Sequence, residues 1–193
     1  HPDVDFELLA RWWKCHANNR AMYIGHAVYK SEKTSAVKAW TQASELPDQI
    51  RLIRSIQGIN GSAFYSSKHF NRDLMGFQDS LKQNLYKQVA IVPPMPWIDS
   101  IPPQSVSKIR NPGKKVKWKV KNPADSWQYV IYLNEKGIPF DASNPGFILS
   151  VVKETECRFA RSNQKKKKYE VRISVLDRLN NESTPSKPVI LKL

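Results

Sequence analysis

The chain has 193 residues, is 40% hydrophobic and carries a net charge of +14, a length and apolar content that suit one large or two small domains with real cores. Its apolar runs are all far shorter than the roughly 18 residues of a membrane span, so no transmembrane segment is expected. Two cysteines, Cys15 and Cys157, provide neither a disulfide framework nor zinc-ligand spacing with the histidines, and no metal or cofactor is predicted.

The first predicted element is an amphipathic helix over about residues 3–18. Phe6, Leu9, Ala10, Trp13 and Ala17 recur at helical spacing, acids lie early, and Arg11, Lys14 and His16 lie late. Adjacent helical residues point apart, so Cys15 next to His16 is not read as a thiol–imidazole pair. Residues 21–29 form a nearly continuous apolar run of strand length, which predicts a strand buried on both faces, with Gly25 marking a close backbone approach. Pro47 and Asp48 near a first turn, then Ile50, Ile53 and Ile56, predict a helix over 46–57. A strand over 59–65 follows, and Leu74, Phe77, Leu81 and Leu85 predict a helix over about 73–87.

Helices alternating with strands imply parallel pairing through right-handed crossovers. Two strands alone leave long unpaired edges, whereas eight units close a barrel. Residues 1–91 are therefore expected to be a partial barrel segment, with strands about 21–29 and 59–65, lacking its N-terminal portion. The alternative is a small α/β layer whose open sheet edge another chain covers. The chain opens at His1-Pro2 without a methionine, as expected of a processed or trimmed chain.

In such an architecture ligands meet the C-terminal ends of the strands. The substrate-binding candidates are accordingly Tyr29, Lys30 and Trp40, then Tyr65, Ser66, Lys68 and His69. Aromatic faces stack on sugar rings, and Lys, Ser and His bond hydroxyls. Trp40 is a stacking residue or a tryptophan buried under its loop. Glycoside hydrolysis usually takes two carboxyl groups, and the rim acids are Glu32, Glu45 and Asp73. Glu32 is nearest a strand end and is the catalytic candidate. No phosphate loop, Ser-His-Asp order or nucleophile elbow is present, so this chain alone is predicted inactive.

Residues 92–103 hold five of the thirteen prolines and predict a rigid extended strap that buries Trp97. From residue 104 onward, short alternating runs bounded by Pro, Gly and Asn predict a β-sandwich over 104–193. Val116, Trp118 and Val120 point inward and the lysines between them outward. Residues 1–99 contain 12 Lys and Arg against 9 Asp and Glu, whereas residues 100–193 contain 19 against 8, so the basicity belongs to the second half. Lys165, Lys166, Lys167 and Lys168 are the candidate polyanion-binding run. Neither this run nor the lysine-rich stretch 114–121 is interleaved with aromatic stacking positions, and no nucleic-acid partner is predicted.

Three stretches, residues 23–30 (YIGHAVYK), 58–66 (GINGSAFYS) and 93–99 (PPMPWID), resemble the closing part of glycosyl-hydrolase-like family 10 proteins over about residues 5–105. The resemblance implies a bacterial secreted protein or lipoprotein with a (β/α)8 catalytic domain, an extracellular, periplasmic or cell-surface location, and a carbohydrate partner. Residues 116–120 (VKWKV), 129–132 (YVIY) and 169–178 (YEVRISVLDR) resemble a fibronectin type III domain. The expected fold class is thus multi-domain α/β plus all-β: the C-terminal part of a (β/α)8 TIM-type barrel joined to a fibronectin type III-like β-sandwich. The expected function is that of an extracellular glycoside hydrolase acting on a polysaccharide or glycan, with a non-catalytic carbohydrate- or polyanion-binding module as the alternative.

Overall fold

The computed structural model describes residues 5–113, 115–159 and 167–192. The chain divides into two compact units, 1–87 and 88–193.

The first unit begins with helix α1 (Phe6–Cys15), where Asp5 caps the start by accepting from the Leu8 amide at 3.0 Å and Glu7 and Lys14 complement the helix dipole. Strand β1 (Tyr23–His26) and strand β2 (Gly61–Phe64) form a two-stranded parallel sheet with Tyr23 opposite Gly61 and His26 opposite Phe64. Helix α2 (Glu45–Ser55) joins them and buries Leu46, Ile50 and Ile53. Helix α3 is one turn, Phe77–Ser80, continued by a wider turn over Leu81–Leu85. Val28, Leu46, Ile50, Leu74, Phe77 and Leu85 make one core, and Ala10, Ile53 and Ile56 a smaller one.

Several expectations change here. The run 21–29 does not form one buried strand: pairing stops at His26, Val28–Lys30 is a 3-10 turn, and Tyr23 and Gly25 face solvent. A continuous apolar run cannot distinguish a strand from a strand plus an inward turn, and Val28 is the residue that turns in. The close-approach glycine is Gly61, where a Cβ would stand 3.0 Å from the Tyr23 ring, whereas Gly25 has open space. On α1 only Ala10 is buried, and Leu8, Leu9, Trp12 and Trp13 are exposed.

The second unit contains antiparallel strands β3 (Ser107–Arg110), β4 (Lys115–Lys119), β5 (Gln128–Glu135), β6 (Ile148–Val152), β7 (Glu156–Arg158), β8 (Lys168–Leu176) and β9 (Val189–Lys192). They form a three-stranded sheet in the order β3-β4-β7 and a four-stranded sheet in the order β6-β5-β8-β9. Val116 and Trp118 from the first sheet meet Tyr129, Ile131, Val171, Ile173 and Leu191 from the second in one core. Trp118 packs edge-on against Tyr129 with centroids 5.3 Å apart. The other face of β5 is also covered, since Val130 and Tyr132 cluster with Ile148 and Leu176. Residues 92–103 belong to this unit: the Met95 amide donates to the Leu179 carbonyl at 3.2 Å and the Asn181 side chain to the Asp99 carbonyl at 3.1 Å. Trp97 is only partly covered rather than buried.

This architecture corrects the predicted fold class, the C-terminal part of a (β/α)8 TIM-type barrel joined to a fibronectin type III-like β-sandwich. Among the described residues there are three short helices, and the strands lie in three small sheets, of two, three and four strands. Among the described residues only β1 and β2 pair in parallel. No barrel-like alternation of helix and strand runs through the described residues, which are β-rich.

Candidate functional site

Because β1 and β2 are parallel neighbours, the segments after their C-terminal ends emerge at the same sheet edge. Tyr29 sits in the 3-10 turn after β1, and Tyr65 directly follows β2 with its amide donating to the His26 carbonyl at 3.0 Å. The two rings meet edge to face with centroids 6.2 Å apart, and Tyr65 is 69% exposed. The His69 ring lies 6.0 Å from Tyr29, in a second 3-10 turn (Ser67–Asn71) whose His69 amide donates to the Ser66 carbonyl.

Lys30 Nζ stands 5.9 Å from the Tyr29 ring and 5.7 Å from the Trp40 ring. Trp40 itself is partly buried against the core, so the tryptophan is both an underlay of its loop and a contact for Lys30. The Glu32 amide donates to the Trp40 carbonyl at 3.3 Å, closing that loop.

Arg72 ties the two segments together. Its Nη2 donates to the Tyr29 carbonyl at 2.6 Å and its Nη1 lies 3.5 Å from Glu32 Oε2. Sequence reasoning selected Lys68 and His69 from this loop but not Arg72. Only the parallel pairing of β1 with β2 places residue 72 beside residues 29 and 32. Partial burial and the neighbouring Arg72 and Lys68 charges hold the His69 imidazole below its usual range.

The structure thus brings together Tyr29, Lys30, Glu32, Trp40, Tyr65, Ser66, His69 and Arg72, with Lys68 in the same turn. Glu32 is ion-paired with Arg72, and the second rim acid, Glu45, accepts instead from Gln49 on α2 at 2.7 Å. Asp73 is exposed, with no hydrogen-bond or ion-pair partner among the described residues. No cluster of three or more His, Cys, Asp or Glu capable of holding a metal occurs among the described residues. Of the lysine run, Lys165 and Lys166 lie outside the described residues, Lys167 pairs with Glu135 at 3.0 Å, and Lys168 is exposed at the start of β8.

A second constellation was not foreseen. His26 is 1% exposed; its Nδ1 is 2.9 Å from Gln49 Oε1 and its Nε2 3.0 Å from Ser62 Oγ. Because the Gln49 amide nitrogen donates to Glu45, its oxygen faces His26 as an acceptor, which assigns the proton to Nδ1 and leaves Nε2 to accept from Ser62. Burial lowers the His26 pKa, with the Gln49 bond opposing. A helix residue and residues of both strands are thereby joined by one neutral imidazole under the Tyr29–Tyr65 edge.

An apolar cleft of about 410 Å³ lies between α1 and β1, lined by Phe6, Leu9, Trp13, Met22, Tyr23 and Ile24 among others. None of its lining residues belongs to the Tyr29–Tyr65 site.

No family model matches the chain. It is similar to the glycosyl hydrolase YngK of Bacillus subtilis (strain 168), with 29% identity over 195 residues, covering 94% of this chain and 37% of that protein. Among solved structures, a myokine matches 48% of this chain and 97% of its own at TM-score 0.34 and 16% identity. The Spr0440 glycoside hydrolase domain of Endo-D from Streptococcus pneumoniae R6 matches 49% and 16% at TM-score 0.30 and 15% identity. The chain is a distant relative of a glycosyl hydrolase and spans 37% of that protein's length.

Proposed function

We propose that the chain is a glycan-recognising part of a glycoside-hydrolase-like protein acting on a polysaccharide or glycan, with the Tyr29–Tyr65 site contacting the sugar. One observation carries the proposal: turns after two adjacent parallel strands converge to present two exposed tyrosines ringed by hydrogen-bonding side chains. An exposed aromatic face matches the apolar face of a pyranose, and Lys30, Ser66, Lys68, His69 and Arg72 supply donors for hydroxyls. The sequence relationship to a glycosyl hydrolase supports the same direction. An extracellular, periplasmic or cell-surface location belongs to the proposal on the resemblance of residues 23–30, 58–66 and 93–99 to secreted proteins.

Glu32 is the carboxylate that the proposal places against substrate. Held by Arg72, it is oriented to accept from a sugar hydroxyl. Hydrolysis by paired carboxyl groups takes a second acid across the scissile bond, so this chain alone is expected to bind without turnover. A glycan array followed by calorimetry on the hits tests the proposal. Tyr65→Ala should weaken binding about tenfold, the effect of one lost aromatic contact of roughly 1 kcal/mol or slightly more. Unchanged affinity in Tyr29→Ala and Tyr65→Ala would remove the site from the function.

The polyanion-binding alternative has a specific measurement as well: retention on heparin at physiological salt, lost when residues 165–168 are neutralised, would favour it.

A further inference from the structure

We infer that the Tyr29–Tyr65 site selects an anionic saccharide over a neutral one. The inference rests on the glycan-binding proposal and adds the substrate's charge.

The surroundings of the two tyrosines are unequal in sign. Lys30 and Arg72 contact Tyr29, Lys68 lies in the Ser67–Asn71 turn where its charge acts on His69, and Glu32 is the single carboxylate seen in contact with the group among the described residues. Glu32 is engaged by Arg72 alone at 3.5 Å, and neither Lys30 nor Lys68 is ion-paired among the described residues. Lys30 is instead parked over two aromatic faces, Tyr29 and Trp40, a contact that holds an ammonium at the rim while leaving its charge uncompensated. Arg72 spends Nη2 on the Tyr29 carbonyl and Nη1 on Glu32, while its enclosed Nε–H has no acceptor among the described residues. His69 responds to the same field: partial burial comes first, then Arg72 and Lys68 disfavour its protonation.

A neutral pyranose on Tyr65 satisfies the aromatic requirement and takes hydrogen bonds from these donors, yet leaves the positive surplus unmatched. A sugar bearing a carboxylate or a sulfate at its rim places the anion against Lys30 or Lys68 while the ring keeps the tyrosine face. Each exposed ion pair gains a few-fold in affinity, and two together about tenfold. The chain's overall basicity makes an internal control essential, because any polyanion is drawn to a protein of charge +14.

Calorimetry on the full chain at low salt supplies the test, with tetragalacturonate, its fully methyl-esterified form and a sulfated neutral tetrasaccharide as probes. Tetragalacturonate should bind about tenfold tighter than its ester, and the margin should shrink below about threefold in Lys30→Gln/Lys68→Gln. The ester should lose less affinity than tetragalacturonate in this variant, since it gives up hydrogen bonds to the two lysines but no ion pair. A Lys117→Gln/Lys119→Gln control removes the same charge from the exposed face of β4 and should leave the margin intact. Comparing the carboxylated and sulfated sugars identifies which anion the rim prefers, and a margin over the ester for either supports the inference. An ester that binds as tightly as the acid, with no margin for the sulfated sugar, overturns the charge selection and leaves glycan binding standing. A margin lost equally in the control, or kept in the Lys30/Lys68 variant, also overturns it. No binding of any probe sinks this inference and the glycan proposal together.

Discussion

The two units use apolar residues in opposite ways. In residues 88–193 the four-stranded sheet is covered on both faces, and its inward side shares a core with the three-stranded sheet. In residues 1–87 the parallel pair has only two strands, α1 buries a single residue, and Trp12, Trp13, Tyr23, Tyr29 and Tyr65 stand at the surface. Aromatic rings at a surface cost stability that a buried ring would supply, so the exposure of Tyr29 beside Lys30 and Arg72, with Tyr65 against it, is more readily explained by contact than by packing. The titratable groups divide too. All four histidines lie in the first unit, whereas the buried phenol–carboxylate contact lies in the second.

The largest expected effect breaks the core of the second unit. Trp118→Ala removes a side chain that is 4% exposed between the two sheets and should cost about 3 to 5 kcal/mol in urea unfolding followed by circular dichroism. Trp118→Phe should recover most of that loss, because the indole Nε1–H has no acceptor among the described residues and its removal strands no partner. A loss below about 1 kcal/mol for the alanine would mean that the two sheets do not share a core.

Next comes the imidazole of the first unit. His26→Leu leaves the Gln49 oxygen and the Ser62 hydroxyl without their partner and should cost about 2 kcal/mol. Its pH dependence has a definite sign. The folded pKa is lowered, so below about 6.5 the unfolded chain takes up the proton first. The His26 contribution is complete above that value and is lost as pH falls from it towards the folded pKa. Thermal melts across pH 7 to 4 should therefore show an acid-weakened first unit, with a flatter profile in His26→Leu. Identical profiles would remove His26 as the source.

How much of this was legible in the residues depends on whether the signal was local. Alternation at Val116, Trp118 and Val120 between lysines gives β4 directly, because a half-buried strand imposes a two-residue period. Helix α2 was equally readable from Pro47, Asp48 and the isoleucine spacing. The run at 21–29 misled because apolar continuity looks the same in a strand and in a turn that dips into a core. Adjacent in sequence, Asp177 and Arg178 could pair as ions at the strand end, but Asp177 accepts from the amides of Leu179 and Asn181, each at 2.8 Å, and Arg178 stacks over Trp127. Local backbone amides won over the adjacent charge. Tyr29 and Tyr65 were found by their place after apolar runs. Arg72 was not, since its role exists only once two strands are paired side by side.

The phenol of the second unit gives a smaller effect with the opposite pH sense. Tyr132 donates to Glu182 Oε1 at 2.6 Å, and Ser174 donates to the same oxygen. Burial first, then the Glu182 bond and charge, raises the Tyr132 pKa. Above about pH 10 the unfolded chain releases the proton before the folded one, so stability falls as pH rises through that value. Tyr132→Phe should cost about 1 kcal/mol at neutral pH and remove this alkaline decline. Acid weakness in one unit and alkaline weakness in the other would sharpen the contrast; a wild-type decline shared by Tyr132→Phe would erase the second half of it.

The smallest expected effect lies on the outer face of the three-stranded sheet. Glu156 on β7 faces Lys115 at 2.5 Å and Lys117 at 3.5 Å on β4, and the Lys115 bond lowers its pKa against an opposing desolvation. Two ion pairs on one carboxylate look substantial, but all three groups are in contact with solvent, where salt screens the attraction and two long lysine chains lose rotamer freedom to maintain it. Glu156→Gln keeps the shape and removes the charge, so its urea midpoint should fall slightly at low salt and coincide with wild type at high salt. The pKa is lowered on folding, so what little Glu156 contributes is present above the usual glutamate range and is lost as pH falls through its folded value. A large, salt-insensitive loss would show that this edge is held by charge, and the account of the second unit as a structure held by its core would then fail at the sheet where Trp118 begins.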